Sequence, residues 1–132
     1  MTVSLVGLVF AHALFSGSLI TIGLQLCAGL VMLWARLTFG TRSFHGSATP
    51  TEGGLVTTGP YRYIRHPIYA AILLFMWAGV AANFSLGVAA MATLASGGAL
   101  VRMLCEEQLV EQRYPEYASY AKVTKRMIPY VF

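Results

Sequence analysis

Most ionisable residues of this chain fall into two short blocks, GGLVTTGPYRYIRHPIY from Gly53 to Tyr69 and RMLCEEQLVEQRYPEYASY from Arg102 to Tyr120. In the first, Gly53, Gly54 and Gly59 permit tight turns with exposed amides, while Pro60 and Pro67 fix the chain on either side of Tyr61 and Tyr63. His66-Pro67 sets an imidazole just ahead of a helix, where proline is tolerated in the first turn. In the second block Arg102 and Glu106 are four apart and share one side of a helix. They form either a simple ion pair or a polar ligand site, since a cation that far into an apolar helix is costly.

These blocks are set in an unusually apolar chain. Of 132 residues 57% are hydrophobic and 11% charged, against roughly 25% charged in soluble domains. The mean hydropathy is +0.66. The net charge of +4 comes from nine Lys or Arg that are too few and too segregated to track a nucleic-acid backbone. Membrane lipid is the expected surrounding, and nucleic acid is not an expected partner. Cys27 and Cys105 lie far apart with no CxxC and no neighbouring histidine, so they read as packing residues and no metal is expected.

The expected architecture is all-α, a polytopic bundle of about four transmembrane helices with a C-terminal interfacial helix, forming one domain over 1–132. No Lys, Arg or Glu occurs from Met1 to Ala35, about 50 Å as a single helix, whereas a hydrocarbon core takes about 30 Å. Ser16-Gly17-Ser18 is the expected break, giving helices over about 2–15 and 19–39. The first resembles a signal peptide at Ala11-His12-Ala13 but lacks a basic leading region, so it is read as a helix. Apolar runs over 67–82 and 84–113 form a hairpin turning at Asn83, rich in Ala and Gly that allow close helix approach. All nine cations then share one face, cytoplasmic by the positive-inside rule, with both termini on that side. Within the C-terminal segment 106–129, the stretch from Glu106 to Tyr120, with Leu109, Val110, Tyr114, Tyr117 and Tyr120 among charged residues, suits a helix leaving the bilayer and lying along its surface, and Pro129 stops any further helix.

GLVTTGPYRYIRHPIY, then EEQLVEQRYPEYASY about 40 residues later, then Met127-Ile128-Pro129, resembles the isoprenylcysteine carboxyl methyltransferase family over about 30–129. The resemblance implies an integral membrane enzyme that uses S-adenosylmethionine, with a cofactor pocket between the loop 53–69 and the last long helix, closed by the C-terminal segment. It assigns Gly53, Gly54, Leu55, Val56, Tyr61, His66, Pro67, Ile68, Tyr69 and Glu106 to the cofactor and Arg102 to the substrate. A carboxylate at Glu106 suits the cofactor's amino group, amides and imidazole near Gly54 and His66 suit its carboxylate, and Tyr61 and Tyr69 suit adenine or ribose.

The implied reaction is in-line displacement, in which a substrate carboxylate takes the methyl carbon of a sulfonium. No general base is required, and Arg102 would orient the acceptor. A lipophilic acceptor would enter from the bilayer and the cofactor from water. No GxGxxG follows a strand, so the binding site must be built from helix ends and loops. Three departures bear on substrate identity: RHPIYAA has Ala71 where glycine is frequent, Gly53 stands where animal members can have His, and the N-terminal helices are fewer. Phospholipid N-methyltransferases share the C-terminal pattern, but amine methylation calls for a base, for which His66 or Glu107 are the candidates. Membrane sterol reductases, which use NADPH, read RHPNYxGD and fit less well at Ile68. A non-catalytic scaffold would scatter its polar residues rather than gather them in two blocks.

Overall fold

The computed structural model describes residues 18–40 and 55–132, all helical apart from connecting turns and one isolated bridge. The expected first helix over 2–15, together with Gly53 and Gly54, lies outside the described residues. The first described helix, α1 (Leu19–Phe39), begins after Ser18. Thr21 Oγ1 reinforces this start by donating to the Ser18 carbonyl at 3.1 Å. A short 3-10 turn, η1 (Gly59–Arg62), leads into α2 (Pro67–Ala82). Then follow α3 (Leu86–Arg113) and α4 (Tyr117–Val123).

Packing is inverted relative to a water-soluble bundle. In α1 the buried residues are Gln25, Ala28 and Ala35, while Leu19, Ile20, Leu26, Leu30 and Leu37 point outward. In α3 the buried positions are Val88, Ala92, Ala95, Ala99 and Met103, spaced three or four apart along one stripe. Small side chains let backbones approach where lipid gives no hydrophobic drive, and the large aliphatics are left to meet acyl chains. Met76 and Val80 of α2 pack on Val88, Ala92 and Ala95 of α3. Two polar ties add specificity: Gln25 Nε2 donates to the Phe75 carbonyl at 3.3 Å, and Trp77 Nε1 to Ser96 Oγ at 3.0 Å.

The helices α1 and α3, at 21 and 28 residues, are long and apolar enough to cross a bilayer. The 16-residue α2 falls short of the roughly 20 residues a full span needs. It is bounded by Pro67 at its start and by Asn83, whose Nδ2 caps the Gly79 carbonyl at 3.1 Å. Ser85 caps α3 by accepting from the Val88 amide at 3.2 Å. The expected hairpin is therefore present. Its antiparallel arms return the end of α3 to the start of α2.

The C-terminal block is divided where a continuous interfacial helix was expected. Pro115 disfavours helical backbone at the residue before it, and Tyr114 is extended at φ −122° and ψ 107°. The long helix therefore ends at Arg113, and α4 starts afresh at Tyr117. Beyond α4, Ile64 and Lys125 form a parallel bridge that lays the C-terminal segment beside the loop ahead of α2.

Candidate active site at the charged end of the hairpin

The approach to the site is set by η1. Gly59 has φ +58°, a left-handed conformation that glycine adopts without strain. A β-carbon there would lie 2.5 Å from Thr38 Oγ1 of α1. Glycine thus permits both the turn and its contact with α1. The Tyr61 ring is buried and lies 5.5 Å from that of Phe39. Burial pushes the Tyr61 hydroxyl up to about 12, with the positive charge of Arg36 opposing the rise and the negative charge of Glu106 adding to it.

Two adjacent glutamates on α3 receive this loop and the start of α2. Glu106 Oε1 accepts from Tyr69 Oη at 2.7 Å and from Arg102 Nε at 3.3 Å. The side chains of Arg102 and Glu106 remain 39% and 24% exposed, so this cluster is open to a ligand. Glu107 faces elsewhere, because successive residues on a helix diverge by about 100°. Its Oε1 accepts from Arg65 Nε at 3.0 Å and pairs with His66 Nε2 at 3.1 Å. Its Oε2 accepts from Arg126 Nε at 3.0 Å. An ionised carboxylate can only accept, so the shared proton sits on His66 Nε2. The imidazole also lies edge-on to Tyr69, with ring centroids 5.8 Å apart.

The remaining assigned residues play varied parts. Leu55 and Val56, in no regular element, are half-buried ahead of η1. Pro67 is fully buried in packing, whereas Ile68 is half-buried. Sequence reasoning had not given roles to Arg65, Arg126, Tyr120 or Thr124. Arg65 Nη1 donates to the carbonyls of Ala121 at 3.0 Å and Thr124 at 2.7 Å. Tyr120 Oη donates to the Tyr61 carbonyl at 2.6 Å. The signal available in the sequence was the doubled glutamate, whose second member needed cationic partners.

Tyr117 closes the inner side of this cluster. Its hydroxyl is buried and has no hydrogen-bond partner in good geometry. Burial, and then the nearby Glu107 charge, push it up to about 12. Between α1 and α2 lies an almost wholly apolar cavity of about 260 Å³, bordered by Ala28, Gly29, Met32, Ile72 and Phe75. Ile72, which borders it, lies one helical turn beyond Tyr69 along α2. Among the described residues no three of His, Cys, Asp or Glu gather to hold a metal ion.

The family model for phospholipid methyltransferases matches residues 37–117, most of the chain and all of Tyr69, Arg102, Glu106 and Glu107. The chain belongs to the phospholipid methyltransferase family. This family lies in the same superfamily of integral membrane methyltransferases as the isoprenylcysteine enzymes. The family match and the two long apolar helices among the described residues agree in suggesting a membrane protein. The chain is also 31% identical to the cobalt-zinc-cadmium resistance protein CzcN of Cupriavidus metallidurans over 98% of its own length and 60% of that protein's. It is 30% identical to the nickel-cobalt-cadmium resistance protein NccN of Alcaligenes xylosoxydans xylosoxydans, again over 98% of its length and 61% of the relative's. The chain thus spans about three fifths of the curated relatives it matches. No solved structure matches it.

Proposed function

We propose that this protein is an S-adenosylmethionine-dependent methyltransferase that esterifies the carboxylate of an isoprenylcysteine-like or other lipophilic acceptor. The observation that carries this reading is the meeting of Tyr69, Arg102 and Glu106 at the charged end of an apolar hairpin. When bound, S-adenosylmethionine supplies an electrophilic methyl group on a sulfonium.

The residues present fit such a donor. The half-open Glu106 carboxylate can take an ammonium group, with Tyr69 holding its orientation. Leu55, Val56 and Ile68 offer half-buried apolar surface, while Tyr61 and Pro67 shape the wall from behind. Gly53 and Gly54 would contribute amides on the same loop.

Arg102 would receive the acceptor carboxylate through its planar guanidinium and aim one oxygen at the methyl carbon. A carboxylate arrives deprotonated, so positioning alone suffices. The apolar cavity between α1 and α2 can take the acceptor's hydrocarbon, which would enter from the bilayer. Partial exclusion of water by the surrounding helices favours the step, because opposite charges become two neutral products. The segregation of the cations supports a multi-pass chain with this site and both termini on the cytoplasmic face.

The second reading, N-methylation of a phospholipid or other lipid amine, draws on the family match. It needs a base, and the two candidates, His66 and Glu107, are bonded to each other. Incubation of membranes carrying the protein with methyl-labelled S-adenosylmethionine distinguishes the readings. Label in lipid or protein that mild alkali releases as methanol supports ester formation. Alkali-stable label on a lipid amine supports the second reading, and no label in either fraction refutes both.

A further inference from the structure

The two neighbouring glutamates have different partners, and the second one's partners come from two separate stretches of chain, one ahead of α2 and one beyond α4. Glu107 accepts from Arg65 and pairs with His66 in the loop ahead of α2, and it accepts from Arg126 beyond α4. The side chains of Arg65 and Glu107 are only 9% and 11% exposed, whereas that of Arg126 is 35% exposed. Arg126 therefore reaches inward from a surface segment to a carboxylate already engaged by Arg65 and His66.

The backbone follows the same path. The Arg65 amide donates to the Lys125 carbonyl at 2.7 Å, the His66 amide to the Arg126 carbonyl at 2.8 Å, and the Lys125 amide to the Tyr63 carbonyl at 3.2 Å. The segment then turns back on itself, with the Arg126 guanidinium 5.5 Å from the centre of the Phe132 ring. His66, whose neighbour Tyr69 binds Glu106, is thus held by its side chain to Glu107 and by its amide to this strap.

We propose that Glu107 is a positioning residue that latches the C-terminal strap, residues 124–132, onto the loop ahead of α2, and that the donor pocket is complete only while this latch is closed. The pocket part of this inference rests on the methyl-transfer reading; the latch itself rests on contacts within the chain. Glu107 moves no proton. It fixes the imidazole and joins two segments that neither α2 nor α3 could hold alone.

The test uses the full chain in detergent micelles and measures amide hydrogen exchange at Arg65, His66 and Lys125 together with binding of S-adenosylhomocysteine. Arg126→Met removes the strap's half of the latch and leaves Arg65 and His66 on Glu107, so it spares the buried pair. It should raise exchange at these amides and weaken S-adenosylhomocysteine about tenfold, the loss expected for a charge-assisted bond. The KM for a carboxylate acceptor should stay unchanged, and Arg126→Lys should recover most of the affinity. Unchanged exchange in Arg126→Met overturns the latch. Raised exchange with native affinity overturns its role in the pocket. Should the native chain bind no S-adenosylhomocysteine, the methyl-transfer reading and the pocket claim both fail, while exchange still decides the latch.

Discussion

Replacing Glu106 by alanine separates a ligand-binding carboxylate from a structural one. In the folded chain its carboxylate accepts from Tyr69 at 2.7 Å and from Arg102 at 3.3 Å. The Arg102 pair is an i,i+4 bridge with side chains 39% and 24% exposed, worth about 0.3–0.5 kcal/mol. A bond from Tyr69 to a charged acceptor contributes about 1.5–3 kcal/mol when fully enclosed, and less here because the site is open to water. The loss of stability should therefore be about 1–2 kcal/mol, leaving the protein folded. A bound ammonium would lose a charge-assisted bond worth about 2–3 kcal/mol, which raises Kd roughly 30- to 150-fold. Calorimetric titration with S-adenosylhomocysteine reads this directly, and Glu106→Gln, which keeps the shape, should fall between native and alanine. NADPH should give no heat. Affinity of the alanine variant within twofold of native, in protein that retains its helicity, would refute the assignment of Glu106 to the donor.

Three further outcomes follow from the geometry. Arg102→Ala should spare S-adenosylhomocysteine affinity and impair turnover of a carboxylate acceptor; equal loss of both in parallel titrations and rate assays would make Arg102 a structural residue. Gly59→Ala should lower thermal stability by about 1–3 kcal/mol through its positive φ and its approach to Thr38, and Thr38→Ala should recover only the steric part in a double-mutant melt. Tyr61 and Tyr117 are raised by burial to about 12 from an ordinary value of 10.0, so the unfolded chain loses these protons first as pH rises. Their stabilising contribution is complete below about pH 10 and declines toward pH 12, which melting curves across that range can follow.

The helices were legible because their signals are local. Apolar length, Pro67, Asn83 and Ser85 mark α2 and α3 within a residue or two. Arg102 and Glu106 were legible as a pair because helical spacing fixes their proximity, whereas the Tyr69 contact depends on how the hairpin closes. Arg65 and Arg126 were hidden for another reason. Their meeting on Glu107 depends on the path of the chain after Pro115, which no short-range pattern encodes. The division of the stretch from Glu106 to Tyr120 was written in the sequence at Tyr114-Pro115, but competed with a run of residues otherwise suited to an interfacial helix. Tyr61, assigned to the cofactor from its motif, also packs on Phe39, a contact between distant segments that the motif does not encode.

Carrying Glu106 and Glu107 on a single rigid rod makes their division of labour a matter of rotational phase. No loop lies between them to absorb a change in chain length. One residue inserted between Arg102 and Glu106 would turn everything after it by about 100°, swinging the first carboxylate away from Tyr69 and breaking its register with Arg102. This stretch of α3 should therefore tolerate no change of length, even one that keeps every side chain.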